Sequence, residues 1–140
     1  MALSLDHIAI CVPGLDDAIR RFVDDLGLTL SGTEDVVEAQ TRTAFLPVTD
    51  AVHHAKIELV TPLDGKGPLV RSLEKRGPGL HHLCFRTDDI DRDIERLRSR
   101  GYRFTSDGPT PGAHGTRVIF LHPKSTGGVL IELAEYPNHG

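Results

Sequence analysis

The chain has few of the features that would assign it to a specialised class. Only two of its 140 residues are cysteine, Cys11 and Cys84. Both fall inside strand-like runs, so they read as reduced thiols of a cytoplasmic protein and not as a disulfide framework. Basic clusters are absent, and the formal charge is −4, which argues against nucleic acid as a partner. No apolar run approaches the roughly 18 residues that a membrane-crossing helix needs. The opening Met1-Ala2-Leu3-Ser4-Leu5-Asp6-His7 shows neither the basic nor the apolar region of a signal peptide, so no membrane association is expected. Gly112-Ala113-His114-Gly115 and Gly127-Gly128 match no phosphate-binding fingerprint and read as turns. What remains is 39% hydrophobic and 26% charged residues, ordinary for one soluble globular domain over residues 1–140. Eight histidines are a mild excess.

Taken in order, Leu5-Asp6-His7-Ile8-Ala9-Ile10-Cys11-Val12 alternates as a strand, with Ile8, Ile10 and Val12 on one face and His7, Ala9 and Cys11 on the other. Leu15, Ile19, Phe22 and Leu26 then recur at helical spacing, with Asp16 as expected N-cap and Gly27 as the stop. Strands are expected at Leu28–Thr33, Thr41–Val48 and Ala55–Val60, and Pro68 opens a short helix closed by Gly77. The pattern then restarts. Leu80–Phe85 is a strand, Ile90, Ile94 and Leu97 mark a helix, and Tyr102–Thr105, Thr116–Leu121 and Val129–Ala134 supply three more strands. At an offset of about 75 residues His7 meets His82, Ile19 meets Ile94 and Phe45-Leu46 meets Phe120-Leu121, while Glu58 meets Glu132 with a one-residue slip. The chain therefore reads as two tandem βαβββ modules, about 4–63 and about 80–136, joined by a linker with a short helix at 64–79. The class is α+β, with the modules forming a cupped, partly open mixed β-barrel and the helices outside.

In each module a histidine on the first strand and a glutamate on the last share one local setting. His7 and Glu58 are 51 positions apart, His82 and Glu132 50. A carboxylate inside an apolar run such as Val129-Leu130-Ile131-Glu132-Leu133-Ala134 needs a cation, a proton or a hydrogen-bond network. One such residue is usually only the solvent-facing member of a strand. Matched His/Glu pairs in both repeats are hard to obtain by packing alone. Small neighbours (Ala9, Cys11 and Cys84) would leave a cavity on the histidine face. If the modules face one another, two imidazoles and two carboxylates converge, a set suited to one divalent ion with two positions left for a bidentate substrate. His81 points away from His82 and reads as a surface residue or one that supports a ligand; His53 and His54 precede a strand in a polar loop and suit solvent exposure; His114 and His122 sit in loops and suit exposure or substrate contact.

Leu5-Asp6-His7-Ile8-Ala9, Gly79-Leu80-His81-His82-Leu83, and His122-Pro123-Lys124-Ser125 through Gly128-Val129-Leu130-Ile131-Glu132-Leu133 resemble the methylmalonyl-CoA epimerases of the vicinal oxygen chelate (glyoxalase/bleomycin resistance/dioxygenase) superfamily. The likeness spans nearly the whole chain. It implies metal ligands His7, Glu58, His82 and Glu132, one divalent ion per chain (Co2+ first; Mn2+, Ni2+, Zn2+ or Mg2+ as alternatives), an acyl-CoA substrate and a homodimer. The implied reaction interconverts (2R)- and (2S)-methylmalonyl-CoA by α-proton abstraction and a metal-stabilised enolate. Glu132 is the first candidate base, and Lys124 and Ser125 are candidate substrate contacts. Several relatives carry a glutamate on the third strand as the opposing base. Thr43 occupies that position here, which leaves the second base unassigned. Glu38 could replace it only with an odd register shift.

Three other readings use related chemistry. A glyoxalase I would employ the same His/Glu/His/Glu set on a glutathione hemithioacetal, and the final third of the chain argues against it. An extradiol dioxygenase would need only two histidines and one carboxylate. A non-enzymatic ligand-binding member of the fold would leave both His/Glu pairs unexplained.

Overall fold

A computed structural model of the chain describes residues 3–48 and 55–137. His53 and His54 lie outside the described residues. The chain divides into two compact units: one runs from His7 to His81, and the other joins the residues up to Asp6 to those from His82 onward.

In the first unit, β1 (Ser4–Cys11), entering the unit at His7, is followed by α1 (Leu15–Ile19), β2 (Gly32–Val36), β3 (Thr41–Pro47), β4 (Lys56–Pro62) and α2 (Pro68–Arg76). Its strands lie in the order β2-β3-β4-β1, with β1 parallel to β4 and the other pairs antiparallel. Register puts each residue on a definite face, because side chains alternate along a strand. Ile10 and Val12 from β1 and its end, Ala44 and Leu46 from β3, and Ile57 and Leu59 from β4 meet Leu15 and Ala18 of α1 in one core. Ala9, Cys11 and Val60 point to the other face, where Leu69 of α2 covers them. The small residues of β1 therefore do not open a cavity along their whole length. Ala9 and Cys11 are sealed at 0% and 1% exposure.

The second unit contains β5 (Gly79–Arg86), entering at His82, then α3 (Ile90–Ser99), β6 (Thr110–Pro111), β7 (Arg117–Leu121) and β8 (Ile131–Glu135). Strand order is β5-β8-β7-β6, with β5 parallel to β8 and the rest antiparallel. Ile90 and Ile94 of α3 pack on Ile119, Leu121 and Leu133. The helix starts cleanly because Asp89 caps it, its carboxylate accepting from the Arg92 amide at 3.1 Å. Asp91 and Asp93 in the first turn and Arg96 and Arg98 in the last oppose the helix dipole.

The structure moves several element boundaries. The second strand starts at Gly32, not Leu28: Gly27 (φ +86°) turns the chain and Leu28 packs back against the α1 core instead of pairing. Past Ile19 the first helix widens into a π-helical stretch, Arg20–Asp25, and its N-cap is Gly14, with no side-chain cap, rather than Asp16. Tyr102–Thr105 is not a strand. Phe104 makes a single bridge to Leu121, and the paired segment is Thr110–Pro111. Proline at 111 lacks the amide that would extend that ladder.

Candidate metal centre and its relatives

Each unit brings one histidine and one glutamate into contact. In the first, His7 Nδ1 lies 3.0 Å from Glu58 Oε2, with side-chain exposures of 8% and 9%. In the second, His82 Nε2 lies 3.1 Å from Glu132 Oε1, at 9% and 10%. The backbone reason is the same twice. β1 and β4 run parallel with Ala9 opposite Glu58, and β5 and β8 run parallel with Cys84 opposite Glu132. In both, the histidine sits two residues before a small residue, on the same face and one row along, so it reaches the carboxylate diagonally. A phenylalanine completes each row from the antiparallel side: Phe45 opposite Glu58, Phe120 opposite Glu132. The Phe120 ring meets the His82 ring edge-on, centroids 5.1 Å apart.

Two nearly buried carboxylates, each in contact with an imidazole, are an environment that a cation stabilises. Each unit thus offers one imidazole nitrogen and one carboxylate oxygen, donor types that divalent transition ions accept. The donor set fits a metal.

Lys56 is a residue that the sequence pattern did not single out. Its Nζ stands 3.7 Å from Glu58 Oε2, its side chain is 12% exposed, and it lies opposite His7 in the β1–β4 register. The signal was there, since Lys56 and Glu58 alternate in one strand and must share a face. A second missed group lies in the other unit. Tyr136 donates its hydroxyl to buried Asp6 at 2.7 Å, and the Arg86 guanidinium covers the Tyr136 ring at 3.8 Å. Asp6, like Glu132, is an ionisable residue in a largely apolar strand, and that is its signal in the sequence.

The turn before β8 is a short 3-10 segment, Pro123–Ser125. Lys124 has an exposed side chain, and its amide donates to His122 Nδ1 at 3.1 Å. Ser125 Oγ accepts from the Arg103 amide at 3.0 Å and borders the groove lined by Phe85, Leu97 and Leu121. Leu97 and Leu121 belong to the α3 side of the sheet. His114 stands in a left-handed conformation (φ 59°) in the turn Ala113–Gly115. Glu38 is exposed in the turn between β2 and β3 and on neither strand, and Thr43 is buried on β3.

A family model described as Glyoxalase/Bleomycin resistance protein/Dioxygenase superfamily matches residues 6–120. An ethylmalonyl-CoA/methylmalonyl-CoA epimerase of Cereibacter sphaeroides is 36% identical over 133 residues, covering 94% of this chain and 96% of that one. The solved methylmalonyl-CoA epimerase of Mycobacterium tuberculosis is 40% identical with a TM-score of 0.89, covering 96% of this chain and 89% of that one. A variant of the Streptomyces coelicolor methylmalonyl-CoA epimerase, solved with 2-nitronate-propionyl-CoA, is 33% identical with a TM-score of 0.90 over 98% of this chain and 100% of that one. The chain belongs to the glyoxalase/bleomycin resistance protein/dioxygenase superfamily and, within it, to the methylmalonyl-CoA epimerase family. Such enzymes are isomerases.

Proposed function

We propose that this protein interconverts (2R)- and (2S)-methylmalonyl-CoA, with one divalent ion held by His7, Glu58, His82 and Glu132. The observation that carries the reading is the repeated pair: one His–Glu contact per unit, each nearly buried and each set by the same parallel-strand register. Family membership supports the choice of substrate. The ion, cobalt in the first instance, would act as a Lewis acid on the thioester carbonyl and so acidify the neighbouring C–H.

The chain's own groups do the rest. Glu132, on β8, takes the α-proton as general base. Phe45 and Phe120, each opposite a ligand carboxylate, keep water away from the glutamates. The Lys56 ammonium beside Glu58 adds positive charge on the side where an anionic acyl group would bind. Lys124 is exposed on the turn before β8, where a cation would suit the phosphates of CoA, and Ser125 next to it is the second proposed contact. The protein is further read as a single-domain, cytoplasmic homodimer. Cys11 and Cys84 are both buried on strands, a setting that suits reduced thiols. No helix among the described residues is long and apolar enough to cross a membrane.

The test measures two quantities on purified protein: divalent metal per chain, and loss of the α-hydrogen of methylmalonyl-CoA into D2O. About one ion per chain and rapid washout are expected. Washout equally fast after complete removal of metal would overturn the metal-dependent reading. Turnover of a glutathione hemithioacetal instead of methylmalonyl-CoA would replace it with the glyoxalase one.

A further inference from the structure

Epimerisation takes a proton from one face of the α-carbon and returns one to the other, so a single base at Glu132 leaves half the reaction without a donor. The strand registers of the first unit show which groups share the face of His7 and Glu58. One row runs Gly32–Phe45–Glu58–Ala9 across β2, β3, β4 and β1; the next runs Glu34–Thr43–Val60–Cys11. His7 and Lys56 form a third row with Pro47. Among the described strand residues of that face, the titratable groups besides the two ligands are therefore Lys56, Cys11 and Glu34.

Two of these are poor candidates. Lys56 sits against Glu58 and serves as a fixed cation. Cys11 is sealed under Leu69, and burial pushes its thiol up from the ordinary range, so thiolate is scarce. Glu34 is half-buried, on the strand at the sheet edge, directly across the ladder from buried Thr43. An edge carboxylate often serves only to keep a strand soluble. Here that task falls to the other face, where exposed Asp35 receives a two-pronged contact from Arg42, Nε to Oδ1 at 2.8 Å and Nη2 to Oδ2 at 3.1 Å. That clamp joins residues that are themselves opposite in the ladder, so it pins the register and with it the face on which Glu34 points. Gly32, one row along in the same strand, presents no side chain, and a Cβ built there would meet nothing within 4 Å. Among the described residues, nothing crowds that neighbouring position on the face of Glu34.

We infer that Glu34 is the second acid/base, which handles the proton on the side of the α-carbon that Glu132 does not serve. This rests on the epimerase reading. In one direction Glu132 breaks the C–H bond and becomes the acid, the electron pair passes into the thioester as an enolate, and protonated Glu34 forms the new C–H bond. In the other direction the roles exchange. Each turnover leaves the two carboxyls with swapped protonation, and exchange with water resets them.

The test follows each epimer separately, using wild type, Glu34→Gln and Glu34→Asp in D2O. Wild type is expected to wash out the α-hydrogen of both epimers and interconvert them. Glu34→Gln is expected to keep washout from one epimer within about threefold of wild type, and to lose washout from the other, with epimerisation falling at least about a hundredfold. Glu34→Asp keeps both exchanges at reduced rates. A Glu34→Gln protein that still exchanges both epimers alike, or that loses both alike while retaining wild-type metal content and melting temperature, overturns the inference. Wild-type protein that exchanges neither epimer overturns the epimerase reading itself, and the inference with it.

Discussion

His7 Nδ1 and Glu58 Oε2 approach to 3.0 Å from neighbouring parallel strands, and Lys56 reaches the same oxygen at 3.7 Å. With an imidazole and an ammonium on one carboxylate oxygen, an arriving cation competes with both. Imidazole must be neutral and carboxylate ionised to bind a metal, so uptake should release protons and weaken as pH falls. Titration calorimetry in buffers of different ionisation enthalpy should therefore give heats that vary with the buffer. His7→Ala and Glu58→Ala should each weaken binding by at least about tenfold, by analogy with the loss seen even for groups that merely support ligands. Identical heats in every buffer would show that no proton leaves.

Glu132→Gln separates ligand from base. The amide oxygen can still coordinate, so the variant should retain metal at reduced affinity, but it cannot accept a proton. The loss should be seen in α-hydrogen washout, down by about 100-fold or more, with acyl-CoA binding little changed. Loss of washout accompanied by complete loss of metal would instead assign Glu132 to coordination alone.

Much of this was legible in the sequence because period-two alternation fixes faces. His7, Ala9 and Cys11 had to share one, and the repeat offset paired His7 with His82 and Glu58 with Glu132. Register was not legible. Nothing in Gly32–Val36 alone tells which of its residues lies opposite Thr43, and the apolar Leu28 drew the expected strand four residues too early. Leu28 is apolar because it fills the α1 core, a tertiary reason that local pattern cannot distinguish from a strand. Lys56 carries no such mark in the sequence, since a lysine two residues from a glutamate in a strand usually lies on a solvated face, and only its burial shows otherwise.

The Asp91–Arg117 contact predicts a pH dependence. Arg117 reaches both Asp91 oxygens, at 2.9 and 3.1 Å, and Glu135 at 3.2 Å, and Glu135 in turn accepts from the first amide of α3 at 3.1 Å. Hydrogen bonds from the Arg117 guanidinium hold the Asp91 carboxyl below the usual carboxylate range. A depressed folded-state value means that the contact stabilises the fold above the unfolded-state pKa and is lost as pH falls through the depressed one. Asp91 is exposed, so the effect on stability is small. The clearer readout is a carboxyl NMR titration: the Asp91 midpoint should lie below that of a free aspartate and rise to it in Arg117→Ala. An unchanged midpoint in the variant would mean that the contact does not form in solution.

Leu59 and Glu58 are adjacent on β4 and face opposite ways, which allows stability and chemistry to be separated within one strand. Leu59 is fully buried among Val12, Leu15, Ala18, Ala44 and Leu46. Leu59→Ala should cost about 2–5 kcal/mol, from lost burial plus the cavity left behind. Its side chain points to α1 and away from the ligand face, so metal content and per-molecule washout should persist at temperatures where the variant remains folded. Glu58→Ala should do the reverse. It removes the carboxylate from the ligand face and leaves the Leu59 core intact, so metal is lost from a protein that still folds, its melting temperature lowered only by the loss of the His7 and Lys56 contacts. If instead Leu59→Ala abolished metal binding in the folded protein, the two faces of β4 would be coupled more tightly than alternation requires, and the assignment of Glu58 by face would lose its basis.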